Sequence, residues 1–211
     1  MTDPNTAFHE QLVVARRNLI LDAATKVFAE KGFHRATIKD IAKAGGVADG
    51  TIYNYFRNKT DLLIALLDRL NESERREIDL SHEQVRDVRS FFTSYLRHRL
   101  SVVWPNQELV RAVLPELIAN PELRDRYYQE VIAPTMQLGE QFIQAQIDQR
   151  QMRPVDASLA ARTLTGSILG LLLLQLLGDR TLEERWEALP EVLATLFFDG
   201  LQHSDGASQT D

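Results

Sequence analysis

Gly50, Thr51, Tyr53, Asn54, Tyr55 and Lys59 crowd into one short stretch and offer hydroxyls, an amide and an ammonium against a single carboxylate, Asp49. On a wheel of about 100° per residue, Ala48, Ile52 and Phe56 share one side. Gly50, Thr51 and Asn54 lie opposite, with Tyr53 and Tyr55 on the flanks. The apolar side suits a core. The opposite side is small, polar and nearly uncharged, which suits a surface that must approach a hydrogen-bonding partner closely.

The flanking residues say how such a face would be held. Thr37 can cap a helix through its hydroxyl while Asp40, three residues on, returns the bond, a capping-box pattern that opens IKDIAKAG. Gly45 and Gly46 then end that helix, and Val47 supplies an apolar contact just past the turn. Two short helices across a tight glycine turn form a helix-turn-helix, whose second helix can enter the major groove of DNA. Asn58 and Asp61 bracket the start of a further helix with Lys59 in its first turn, where free amides and a positive charge can hold a phosphate. An ordinary three-helix bundle with a glycine turn would share part of this pattern.

Three motifs extend the comparison beyond spacing: A-A-x-x-x-F-x-x-x-G-F from Ala23 to Phe33, T-I-x-x-I-A-x-x-G-x-V from Thr37 to Val47, and G-T-I-Y-x-Y-F-x-x-K from Gly50 to Lys59. On these, residues 17–67 resemble the DNA-binding region of TetR-type (TetR/AcrR-like) transcriptional regulators. The resemblance implies a first helix packed behind the motif, a second and third that read DNA, and a fourth leading into a helical effector domain that dimerises. It implies that Gly50 and Thr51 approach base edges and that Thr37, Tyr53, Tyr55 and Lys59 contact phosphates. Asn54 sits where the family varies and is offered as a base reader. Asp49 departs from the pattern: an acid near the groove repels phosphate, although it complements a helix N-terminus and can accept from a cytosine amine.

Charge distribution fits the same reading. The net charge is −6, yet residues 1–60 hold nine Lys and Arg against six Asp and Glu, a balance of +3, and the remainder 15 against 24, a balance of −9. Screening over about 8 Å at physiological salt lets a basic segment bind phosphate on an acidic body. An apolar content of 44% with no cysteines, and a start lacking both basic residues and an apolar run, lead us to expect a soluble cytoplasmic protein without a signal peptide.

Periodicity predicts an all-α chain. A first helix is expected from about residue 10 to residue 31, with Leu12, Leu19, Ile20, Ala23, Ala24, Val27 and Phe28 on its apolar face, and Gly32 ending it. The helix from Asn58 loses its apolar face near residues 70–80, where it leaves one core for another. We therefore expect a helix-turn-helix domain over residues 10–60 and a helical ligand-binding and dimerisation domain over 61–203. Helices are expected at 82–104, 106–119 with Pro115 kinking or dividing it, 121–151 bent at Pro134, from Asp156 to about 177, and 182–201, with a disordered tail.

The run from Leu164 to Leu177 is apolar nearly all round and is shorter than the roughly 20 residues of a membrane span, so it must be covered by protein. The chain's own core could do so. The preferred expectation is a homodimer seam built by Gly166, Gly170, Leu173, Leu174 and Leu177 together with Leu193 and Phe197 of the last helix. In a dimer, two reading helices about 34 Å apart meet two half-sites one turn apart on a palindromic operator in double-stranded DNA.

Enzyme chemistry finds no support in spacing. The five histidines form no metal-binding pattern, and there is no phosphate loop or nucleophile elbow, so no catalytic residue, metal site or cofactor is expected. Phe92, Tyr95, His98, Trp104, Tyr127 and Met136 could instead line a pocket for a small apolar or amphipathic effector. The sequence therefore reads as a transcriptional repressor released from its operator by a ligand. The alternative is a helical ligand-binding or protein-interaction module that keeps the fold without reading DNA.

Overall fold

Apolar residues at three- and four-residue spacing make helices wherever the chain is described. The computed structural model describes residues 4–81 and 87–201, and these contain α-helices, two 3-10 turns and one π segment, with no strand among the described residues. The helices are α1 (Pro4–Arg35), α2 (Ile38–Gly45), α3 (Asp49–Tyr53), α4 (Lys59–Ser81), α5 (Val88–Val103), α6 (Gln107–Ala119), α7 (Pro121–Tyr127), α8 (Ala133–Asp148), α9 (Ala157–Leu176), α10 (Arg180–Arg185) and α11 (Leu189–Leu201). Two compact units are present: Met1–Arg69 with Glu108–Val131, and Leu70–Gln107 with Ile132–Asp211. The expected starts and ends at residues 82–86 and from His203 onward lie outside the described residues.

In the first unit α1 begins at Pro4, earlier than expected, and its burial starts only at Ile20: Ile20, Leu21, Ala24 and Phe28 are fully buried, whereas Leu12 and Leu19 are exposed. Gly32 breaks the helical path with φ +74°, and one more turn runs to Arg35. The two glycines of the α2–α3 turn divide their labour. Gly46 takes the left-handed conformation at φ +62°, and the Val47 amide donates to Ala42 O at 3.0 Å, a Schellman closure. Gly45 stays helical; a Cβ there would meet Ala23 Cβ at 3.3 Å, so it sets how closely α2 packs on α1. Pro115 lies inside a continuous α6. Asn120 caps α7 by accepting from the Leu123 amide at 3.1 Å.

The second unit pairs α5 with α11 and α8 with α9 around Phe92, Leu96, Leu100, Phe142, Ile143, Trp186 and Ala194. The stretch expected as one bent helix over 121–151 is α7, a π segment (Tyr128–Ile132) and α8, with Pro134 in the first turn of α8. The expected last helix is α10, a 3-10 turn at Trp186–Ala188 and α11. α9 is 20 residues long and, by length and composition alone, apolar enough to cross a membrane, longer than the apolar run read from sequence.

Candidate functional site

The polar face is built on α3, five residues held in place by its neighbours rather than by its own length. Ile52 is fully buried and Phe56, just past the helix, is 5% exposed, so this side anchors α3. Ala48 does not join them: it is the exposed cap position before the helix and makes no side-chain cap bond. Gly50, Tyr53 and Asn54 are exposed, and Thr51 and Asp49 are half-buried. Tyr55 is half-buried and lines a polar cleft with Arg17, Asp61, Asp68, Arg126 and Glu130. Nothing within 4 Å would meet a Cβ at Gly50, and its φ is not positive. The fold itself therefore does not require glycine there.

Thr37 forms the predicted capping box. Its hydroxyl accepts from the Asp40 amide at 3.1 Å, and Asp40 Oδ2 accepts from the Thr37 amide at 3.0 Å. The Lys31 ammonium, 2.6 Å from Asp40 Oδ1, and the hydrogen bonds from Thr37 hold the Asp40 carboxyl down at about 2. Thr37 Oγ1 thus has one lone pair engaged and its proton on Asp40 Oδ2 at 2.8 Å.

Lys59 is placed differently from a free phosphate ligand. Its ammonium donates to Phe33 O at 2.6 Å, His34 O at 3.1 Å and Ala36 O at 2.9 Å, and it sits 4.5 Å from the centre of the Phe33 ring. All three of its protons are directed at carbonyls where α1 ends. Burial lowers its pKa, partly opposed by Glu116. Lys59 therefore ties the α1–α2 junction to the start of α4, where Asn58 Oδ1 accepts from the Asp61 amide at 2.7 Å. Sequence spacing places Lys59 in the first turn of a helix but cannot show that three carbonyls converge on it from 23 to 26 positions upstream.

In the second unit Phe92, Tyr95 and Met136 meet around one cavity, joined by Phe91, Thr135, Phe142, Ile143, Met152, Thr165 and Phe197. Trp104 instead packs at a tilt against Trp186 with ring centres 4.7 Å apart and lines a second cleft with Glu183, Glu184 and Glu187. His98 and Tyr127 line neither, and Tyr127 belongs to the first unit. The helical face of α8 that supplies Thr135, Met136, Phe142 and Ile143 could have been found by periodicity; the loop residue Met152 could not. The cavity volume is about 60 Å³, far below the roughly 300–1,000 Å³ of a ligand pocket. A ligand must part these side chains to enter.

Across α9 the seam expected from sequence is open. Gly166 and Gly170 are exposed with nothing within 4 Å of an added Cβ, and Leu173, Leu174 and Leu177 are 47%, 49% and 76% exposed. On α11 the register is corrected. Leu193 is 5% exposed and Phe197 packs 6.0 Å from Phe92 and lines the cavity, because both lie on the face turned to α5. Val192 and Leu196, 49% and 67% exposed, occupy the outer face instead.

Residues 20–66 match the family described as bacterial regulatory proteins, tetR family, and residues 91–186, which take in all of α9, match the C-terminal domain of AefR-like transcriptional repressors. The fatty acid metabolism regulator protein of Bacillus subtilis is 48% identical over 66 residues, 30% of this chain and 34% of that protein. The match spans about a third of the length of the curated relatives. Among solved structures, the fatty acid degradation regulator FadR from Bacillus halodurans aligns with TM-score 0.75 at 28% identity, over 89% of this chain and 97% of that one. FadR from Bacillus subtilis in complex with stearoyl-CoA aligns with TM-score 0.73 at 26% identity, over 86% and 97%. Together with the capped turn before α3, these matches establish that the chain belongs to the tetR family of bacterial regulatory proteins, which are transcriptional regulators and not enzymes.

Proposed function

We propose that this chain is a cytoplasmic, homodimeric repressor that reads a palindromic operator through residues 10–60 and leaves it when residues 61–203 take up a small apolar or amphipathic ligand. The observation that carries the reading is Gly50. It is an exposed glycine that its own fold does not demand, in the middle of a polar face with Tyr53 and Asn54 beside it. In this reading Gly50 and Thr51 lie against base edges, Asn54 reads a further base, and Thr37, Tyr53 and Tyr55 contact phosphates. The placement of Lys59 supports an indirect share: by fixing the α1 carbonyls it steadies the frame, and its charge adds to the local field.

The apolar cavity supports the ligand half. Its lining is hydrocarbon and aromatic apart from two threonines and a tyrosine, and the related FadR binds stearoyl-CoA. We assign an acyl- or alkyl-chain compound as the effector class. Because the cavity is small, occupancy competes with the packing of its lining side chains, and that competition is what a ligand needs to shift a two-state equilibrium.

Selection of bound sequences from random duplex DNA, with wild-type protein and with Tyr53→Ala, tests the reading. An enriched palindrome that disappears with the variant supports it, and a long-chain acyl compound should then release the enriched duplex. A well-folded dimer that enriches nothing would move the reading to a ligand-binding module that retains the fold, with Asp49 as the residue to revert first.

A further inference from the structure

We propose that Arg126 of α7 is a positioning residue for DNA reading: its ion pair with Asp61 neutralises a carboxylate in the first turn of α4 that would otherwise confront the phosphate backbone. The proposal rests on the DNA-reading function above. Arg126 Nη1 lies 2.9 Å from Asp61 Oδ1, and its Nε lies 2.9 Å from Glu130 Oε1 four residues along. The Asp61 side chain is 22% exposed and that of Arg126 is 32% exposed, so the pair is only partly screened by water.

Position makes the charge matter. Asp61 follows Lys59 by two residues and shares one cleft with Tyr55, a side chain assigned to phosphate. Lys59 makes no ion pair with it, because its ammonium is directed at three carbonyls. Arg17, on the same cleft, is held over the Phe56 ring at 5.5 Å. An acid in the first turn of α4 is favourable for the helix, since it faces the positive end of the dipole. The same acid is unfavourable for a phosphate arriving at that end. Arg126 reconciles the two demands, and it raises a condition. The neutralising charge is supplied from 65 positions away in sequence, on a helix that runs into the π segment Tyr128–Ile132, so the face is fit to read only while α7 is seated against α4. The favourable setting of the guanidinium is seen in its raised pKa, caused first by Glu130 and then by Asp61.

The test is a charge-rescue cycle on the full-length protein and its selected duplex. Arg126→Gln should weaken binding about tenfold at low salt, the effect of one uncompensated charge near a phosphate, and the deficit should shrink as salt rises. Asp61→Asn should bind within about threefold of wild type, and adding it to Arg126→Gln should restore binding to that same level. Arg126→Lys, which keeps the charge, should also stay within about threefold. A purely structural ion pair predicts the opposite: Asp61→Asn as weak as Arg126→Gln, and no rescue in the double variant. That pattern overturns the proposal, as does Arg126→Gln binding like wild type. If Arg126→Gln fails to fold, Asp61→Asn still decides, because it removes the pair together with the carboxylate and only the structural account makes it weak. Wild-type protein that binds no duplex removes the DNA-reading function itself, a result distinct from either outcome.

Discussion

The two units tie their helix ends alike and differ in what they leave uncovered. In the first, backbone ends are tied by side chains: Thr37 and Asp40 at the start of α2, Gly46 at its end, Lys59 on the α1 carbonyls, Asn58 at α4 and Asn120 at α7. A five-residue helix has almost no stability of its own, so α3 can present a polar face only because everything around it is fixed. The second unit is capped in the same way, by Asp87 at α5, Asp156 at α9 and Asp179 at α10, and adds a core of aromatic and aliphatic side chains with a small cavity among them and a row of bare leucines on α9. The apolar side of α3 is covered within the single chain, whereas Leu173, Leu174 and Leu177 of α9 are not.

If the second unit is incomplete alone, a charge on its bare face should do the most damage. Leu173→Glu is expected to convert a dimer into a folded monomer, read by sedimentation, and to reduce operator affinity on the order of a hundredfold by making each half-site bind separately. A variant that remains dimeric would move the seam away from α9. Leu193→Glu, by contrast, should unfold the second unit, because that side chain lies in the core.

Within the first unit, two glycines should separate function from stability. Gly50→Ala is expected to leave the melting temperature unchanged or slightly higher, since alanine favours the helix by about 0.5–1 kcal/mol, while weakening duplex binding by about 1–3 kcal/mol. Gly46→Ala should do the reverse, losing about 1 kcal/mol of stability to the left-handed backbone with duplex affinity preserved in the folded fraction. Thermal melts paired with binding titrations check both. Equal effects of the two substitutions would mean that Gly50 serves the fold after all.

Lys59→Met should behave as a loss of frame. Removing three donors leaves Phe33, His34 and Ala36 carbonyls short of partners and should lower stability by about 1–3 kcal/mol. Binding should recover when the protein is held folded at low temperature. Equal loss of affinity at all temperatures, with an unchanged melt, would favour a direct phosphate contact for Lys59.

Most of the first unit's architecture was legible because its signals are local: a capping box spans four residues, a glycine turn two, and the α3 face one helical wheel. What spacing misses there is long-range. The convergence of Phe33, His34 and Ala36 carbonyls on Lys59, and the Arg126–Asp61 pair, join positions 23 to 65 apart, and no periodicity encodes them. In the second unit period 3.6 identified helices but misassigned the sides of α11. Leucine, valine and phenylalanine surround that helix, so hydrophobicity alone does not distinguish Leu193 and Phe197, turned to α5, from Val192 and Leu196, turned outward. The π segment was likewise invisible, since inserting one residue into a helical turn leaves composition unchanged.

The smallest effect concerns pH and the capping box. Asp40 is held near 2 by Lys31 and Thr37, against an ordinary value of 3.8. A carboxyl whose folded pKa is depressed contributes stability that is fully present above its ordinary value and is lost as pH falls through the folded one. Asp40→Asn should therefore melt below wild type at pH 6, and the gap should narrow as the pH drops from about 4 toward 2, where wild type loses the same charge. Other carboxylates titrate in this range in both proteins, so the difference between the two melts isolates Asp40. A gap that stays constant down to pH 2 would show that the hydrogen bonds of the box, which an asparagine cannot fully reproduce, carry the contribution and that the Lys31 pair adds nothing measurable.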